Sequence, residues 1–94
     1  MQRFADRSVL ITGAGSGIGR ATAERLAAEG ALLTLSDVNA AGLEETAATC
    51  REIGATVIES VSDVADEAAV GALVGGAVAE FGRLDVLVNV AGIL

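Results

Sequence analysis

Val9-Leu10-Ile11-Thr12-Gly13-Ala14-Gly15-Ser16-Gly17-Ile18-Gly19 is the stretch on which the reading of this chain turns. An apolar run enters a glycine-rich loop, and the loop enters a segment of helical composition. That order makes a strand, a tight turn and a helix whose first N–H groups point outward, an arrangement by which backbone alone cradles a pyrophosphate. The glycines do not fit G-x-G-x-x-G: counted from Gly13 or Gly15, the third glycine position falls on Ile18 or Arg20. They fit T-G-x-x-x-G-x-G, on Thr12, Gly13, Gly17 and Gly19. In that spacing Gly13 allows the sharp turn out of the strand. Gly17 brings backbone to phosphate with no Cβ between them, and Gly19 lets the helix pack against the sheet. Asp37 ends the next apolar run, where a carboxylate accepts hydrogen bonds from an adenosine ribose. The plainer alternatives are a glycine-rich turn without a ligand, and a turn residue in Asp37.

Working outward, the chain alternates. Ser8–Thr12 reads as a strand. Gly17–Glu29 reads as a helix, with Ile18 and Leu26 on one face and Gly30 as its stop. Ala31–Asp37 is a second strand, apolar enough for burial on both faces. Ala40–Ile53 is a helix with Leu43, Ala47 and Cys50 at i, i+4 and i+7, ended by Gly54. Ala55–Val61 is a third strand. Asp66–Phe81 is a helix with Val70, Leu73, Val74, Ala77, Val78 and Phe81 on one stripe, closed by Gly82, and Leu84–Val90 is a fourth strand. Gly71, Gly75 and Gly76 inside the third helix mark either close packing or positions that the apolar stripe overrides. The alternation predicts an α/β fold: a three-layer, Rossmann-like, doubly wound parallel sheet of strand order 3-2-1-4. It forms one dinucleotide-binding domain over residues 1–94, with ligands outside the ends of strands one and four.

Composition narrows the function. Of 94 residues 52% are hydrophobic and 2% aromatic, so Val, Leu, Ile and Ala fill the core, as suits a parallel sheet under helices. The net charge of −7, with all six basic residues scattered arginines, excludes nucleic acid as a partner. The longest uncharged apolar stretch, Ala68–Ala79, is too short for a membrane span, and the start has no apolar signal core. Cys50 is the one cysteine, so no internal disulfide forms, and it reads as a buried thiol on a helix. No metal site is expected, and residence is expected to be cytoplasmic.

The glycine spacing resembles that of the short-chain dehydrogenase/reductase family. Three further matches carry the resemblance: Asp37 after strand two, Asp63-Val64 after strand three, and Asn89-Val90-Ala91-Gly92 after strand four, where the family usually has Asn-Asn-Ala-Gly. The resemblance implies a role for each. The backbone around Ser16, Gly17 and Ile18 would hold the pyrophosphate, and Asp37 the ribose hydroxyls. Asp63 would bind the adenine amino group with Val64 beside the ring, and Asn89, Ala91 and Gly92 would line the floor. Val90 departs from the family pattern and removes one polar group there. Asp63 has a plainer reading as a loop or helix-capping acid. NAD rather than NADP is expected, because Asp37 repels a 2′-phosphate and neither Ser16 nor Val38 is a cation. Arg20 is expected to face solvent.

In the family a Tyr, a Lys four residues later and a Ser perform hydride and proton transfer between NAD(H) and an alcohol or carbonyl substrate. This chain has no Tyr, no Lys and no His, so no catalytic residue is assigned. Three readings stand side by side: the cofactor-binding part of a longer NAD-dependent enzyme, itself inactive; a stand-alone NAD- or ADP-ribose-binding module; and an assembly protein. Helices one and two are expected to share one sheet face and leave helix three alone on the other. With strand four an apolar edge that Asp85 only weakly guards, a homo-oligomer is expected.

Overall fold

The computed structural model describes residues 3–90; Ala91 and Gly92 of the strand-four motif lie outside the described residues. Strands β1 (Ser8–Thr12), β2 (Leu32–Asp37), β3 (Thr56–Val61) and β4 (Val86–Asn89) alternate with helices α1 (Gly17–Ala28), α2 (Ala40–Ile53) and α3 (Glu67–Phe81). The strands form one parallel sheet in the order β3-β2-β1-β4, the doubly wound order expected from the alternation. Thr12 lies level with Ser36 of β2 and Asn89 of β4, and Asp37 with Val61 of β3. The C-terminal ends of all four strands therefore meet along one rim, and that rim positions the site.

Strand alternation divides the sheet into two unlike faces. Val9 and Ile11 of β1 and Leu33 and Leu35 of β2 join Ala23, Leu26 and Ala27 of α1, Leu43, Ala47 and Cys50 of α2, and Val57 of β3 in one buried cluster. Full burial of each such Leu, Ile or Val stabilises by about 1.5–3 kcal/mol. On the other face Leu10 is buried, and α3 packs on β1 and β2 with Leu73 and Ala77 as its buried residues. The hydroxyls of Ser8, Thr34 and Ser36 are buried, and none finds a partner among the described residues.

Helix ends follow local chemistry. Gly30 N–H donates to Ala27 O and Ala31 N–H to Leu26 O, each at 3.1 Å; Gly54 and Ala55 repeat the pattern on Arg51 and Cys50 at 3.0 Å. Asn39 caps α2 by accepting from the Gly42 N–H, and Asp66 caps α3 by accepting from Ala68. Asp66 is thus a cap preceding α3 and not its first residue.

Three expectations are corrected. Ile18 does not share a face with Leu26: eight residues advance a helix by about 80° beyond two turns, and Ile18 is 66% exposed at the rim while Leu26 is buried. The six-residue stripe of α3 does not bury as a unit. It covers roughly 140° of the helix, and the helix leans on the sheet along Leu73 and Ala77, leaving Val70, Val74 and Phe81 half-buried and Val78 exposed. β4 is shorter than expected: Leu84 and Asp85 precede it, and Asp85 does not stand free at the edge. Its Oδ2 accepts from the Ser8 N–H at 2.8 Å, and its Oδ1 pairs with Arg83 at 2.7 Å and Arg7 at 3.6 Å. Of the two readings of the glycines at 71, 75 and 76, close packing drops out and the plainer one stands: no atom of the described residues lies within 4 Å of where a Cβ would stand on any of them.

Candidate functional site

The loop after β1 is held by hydrogen bonds to the backbone of Ala14 and Gly15. Gly13 (φ +69°) and Gly17 (φ +56°) take left-handed conformations that L side chains resist. Between them, Ala14 N–H donates to Ser36 O at 3.0 Å, and Ala14 O accepts from the Thr46 hydroxyl at 2.8 Å. Gly15 N–H donates to Asp37 Oδ2 at 2.8 Å. Ser16 precedes α1 in an extended conformation and makes no side-chain cap bond, so the first-turn N–H groups of α1 have no side-chain acceptor there. A Cβ on Gly17 would meet nothing within 4 Å, whereas one on Gly19 would collide with the Gly13 carbonyl oxygen. Gly19 therefore lets α1 close on the loop itself, and not on the sheet as the spacing suggested.

Asp37 is the centre of the arrangement. Its Oδ2 takes the Gly15 bond, its Oδ1 accepts from the Asn39 N–H at 2.9 Å, and its carbonyl accepts from the Ser62 N–H at 3.1 Å. Beside it opens a cavity of about 320 Å³, lined by Gly13, Asp37, Val38, Ser62, Asp63, Val64, Ala65 and Asn89. Among the described residues, two carboxylates and no cation line this space. Arg20 lies on α1 with its guanidinium 3.1 Å from Glu24 and 3.4 Å from Glu45, committed to carboxylates on the helices.

Asp63 accepts from the Ala65 N–H at 2.9 Å through Oδ1, which leaves its second oxygen for another donor. Asn89 Oδ1 accepts from the Thr12 hydroxyl at 2.8 Å, tying the end of β4 to the end of β1. The rim thus gathers Gly13, Asp37, Val38, Asp63, Val64 and Asn89 around one cavity. Ser16, Gly17, Ile18 and Gly19 do not line it; they form the adjoining start of α1. Ser62 and Ala65 line the cavity although no motif pointed to them.

Sequence reasoning also missed three supporting residues. Gly15 sat at a variable position of the pattern, yet a Cβ there would stand 2.8 Å from Asp37 Oδ2 and 3.0 Å from the Leu43 nitrogen. A Cβ on Gly42 would collide with the Gly15 carbonyl oxygen. Thr46 is fully buried in α2 and bonds the loop from below. The available signal was Gly42 itself, since Gly in a helix costs about 1 kcal/mol relative to Ala unless contact demands it. Cys50 lies under this layer, and burial foremost pushes its thiol pKa up to about 11.

With this geometry in view, the comparisons are decisive. The family model for short chain dehydrogenases matches residues 7–94. The chain belongs to the short-chain dehydrogenase family. Among its relatives in this family, levodione reductase of Leifsonia aquatica is 56% identical over 93 residues, covering 97% of this chain and 35% of the relative. The chain thus spans about a third of the length of the curated relatives it matches. The crystal structure of an NAD+-bound xylitol dehydrogenase is 44% identical, with a TM-score of 0.85 over 90% of this chain and 33% of that one. A short-chain dehydrogenase/reductase from Burkholderia phymatum in complex with NAD is also 44% identical, with a TM-score of 0.86 over 93% of this chain and 31% of the other. Short-chain dehydrogenases of this group are thus represented with the dinucleotide bound. Among the described residues, no helix is long and apolar enough to cross a membrane.

Proposed function

We propose that residues 1–94 form the dinucleotide-binding domain of an NAD-dependent short-chain dehydrogenase, one that transfers hydride between NAD(H) and an alcohol or carbonyl substrate. The observation that carries this reading is Asp37, held by the Gly15 and Asn39 N–H groups at the end of β2, beside a cavity without a cation. The residues fit the cofactor. The start of α1 offers N–H groups without a side-chain cap, and Gly17 leaves open space where a Cβ would stand. Asp37 would hold the adenosine ribose with Val38 against its edge, while Asp63 and Val64 would face the adenine. Asn89 would form the floor, with Ala91 and Gly92 beyond it. A 2′-phosphate would meet two carboxylates and no counter-charge, which favours NAD over NADP.

Bound nicotinamide would supply the hydride acceptor. This chain would supply binding and orientation alone, since the family's Tyr and Lys acid–base pair has no counterpart in its sequence. By itself it turns over no alcohol or ketone. Self-association and a cytoplasmic setting belong to the same proposal. Calorimetric titration with ADP-ribose and with 2′-phospho-ADP-ribose tests it: tighter binding of the first than of the second is expected. A preference for the phosphorylated ligand, or no heat with either, refutes it.

A further inference from the structure

Resting on the cofactor reading above, we propose that Thr46 of α2 is a positioning residue that sets ribose selectivity by fixing one peptide plane of the glycine loop. The plane is Ala14–Gly15. Its carbonyl oxygen accepts from Thr46 Oγ1 at 2.8 Å, and its N–H donates to Asp37 Oδ2 at 2.8 Å. The two bonds hold opposite ends of one rigid unit. Rotation that releases the carbonyl also turns the N–H away from Asp37. The ribose-facing carboxylate is therefore coupled to a hydroxyl on another helix, 32 residues along the chain from Ala14.

The surroundings leave the plane little alternative. Ala14 N–H is engaged by Ser36 O, so the peptide before it is also fixed. Gly42 brings the first turn of α2 against the Gly15 carbonyl oxygen, and Gly15 lacks the Cβ that would strike Asp37. Thr46 has one hydroxyl proton and two neighbouring acceptors, Ala14 O at 2.8 Å and Gly42 O at 3.1 Å. The second is the ordinary bond of a helical threonine to the carbonyl four residues back. The shorter bond leaves the helix and reaches the loop. Thr46 and Ala14 are both fully buried, so water does not replace the donor when it is removed.

A purely structural threonine would weaken every ligand alike, whereas a threonine that aims Asp37 changes the ratio between ligands. The test titrates the protein and its Thr46→Val and Thr46→Ser variants with ADP-ribose and 2′-phospho-ADP-ribose. Thr46→Val keeps the shape and loses the donor. It should lower ADP-ribose affinity about ten-fold, the scale of one buried hydrogen bond, and leave the phosphorylated ligand no weaker. Thr46→Ser should stay within about two-fold of the unmodified protein, since its hydroxyl retains the bond. An unchanged ratio in Thr46→Val, or an equal loss in Thr46→Ser, overturns the proposal while the cofactor reading stands. If the unmodified protein binds neither ligand, the cofactor reading falls and takes this proposal with it. Should Thr46→Val fail to fold, amide exchange in the unmodified protein decides. A protected Gly15 N–H supports the fixed plane, and exchange at the rate of an open loop overturns it.

Discussion

At the scale of single residues, the site is built from backbone and two carboxylates, and each contact makes a distinct prediction. Asp37→Ala removes the carboxylate proposed to accept from a ribose diol. ADP-ribose affinity should fall by about ten-fold or more, as expected for a hydrogen bond to a charged group, and discrimination against the 2′-phosphorylated ligand should narrow, both read by calorimetry. Gly19→Ala places a methyl on the Gly13 carbonyl oxygen and forces the helix off the loop. A loss of about 2–3 kcal/mol is expected in urea unfolding. Asp85 carries a pH signature: the Arg83 hydrogen bond, then the Ser8 N–H, hold its carboxyl below the usual carboxylate range. A carboxyl depressed in the folded state contributes fully above its unfolded pKa of about 3.9, and the contribution is lost as pH falls through the lower folded value. Thermal unfolding followed from pH 7 to pH 3 should therefore show a shallower acid decline in Asp85→Asn than in the unmodified protein. The motif residues Gly13, Gly17, Asp37 and Asn89 were legible because each belongs to a local pattern of fixed spacing. Gly15, Gly42 and Thr46 were not, because their partners are brought close only when α2 folds back over the loop.

At the scale of elements, period and punctuation located every strand and helix. Glycines marked the helix ends, and the continuous apolar runs marked the buried strands. Failures arose where a pattern carried no direction. The α3 stripe was real, but its width exceeded the contact that one helix makes with a sheet, so Val78 stands outside. β2 is buried on both faces, as its composition suggested, but Thr34 and Ser36 on the α3 side carry hydroxyls that find no partner among the described residues. A buried hydroxyl without a partner costs about 1–3 kcal/mol relative to a hydrogen-bonded one. Thr34→Val keeps the shape and β-branching of the side chain, and should raise stability by about 1 kcal/mol, visible as a higher midpoint in thermal or urea unfolding.

At the scale of the whole molecule, the sheet is dressed unequally. α1 and α2 cover one face together, while α3 covers β1 and β2 on the other. Along β4, Val86 is 37% and Leu87 51% exposed on an edge strand. Such an edge pairs readily with another chain. Sedimentation at rising concentration should show self-association that Leu87→Lys reduces, since a charged residue on an edge strand opposes pairing. Strand order was readable because the crossover rule leaves few topologies for this alternation. What covers the bare flank was not, since no periodicity within the chain encodes a neighbour. The deeply covered thiol of Cys50 has a practical corollary: it is a built-in gauge of opening. With one cysteine in the sequence and its sulfur sealed under α1 and α2, an alkylating reagent should label the native molecule only as fast as the core exposes itself. Mass spectrometry of that labelling, with and without nucleotide, would turn occupancy of the loop into a measured protection of a side chain that never meets the ligand.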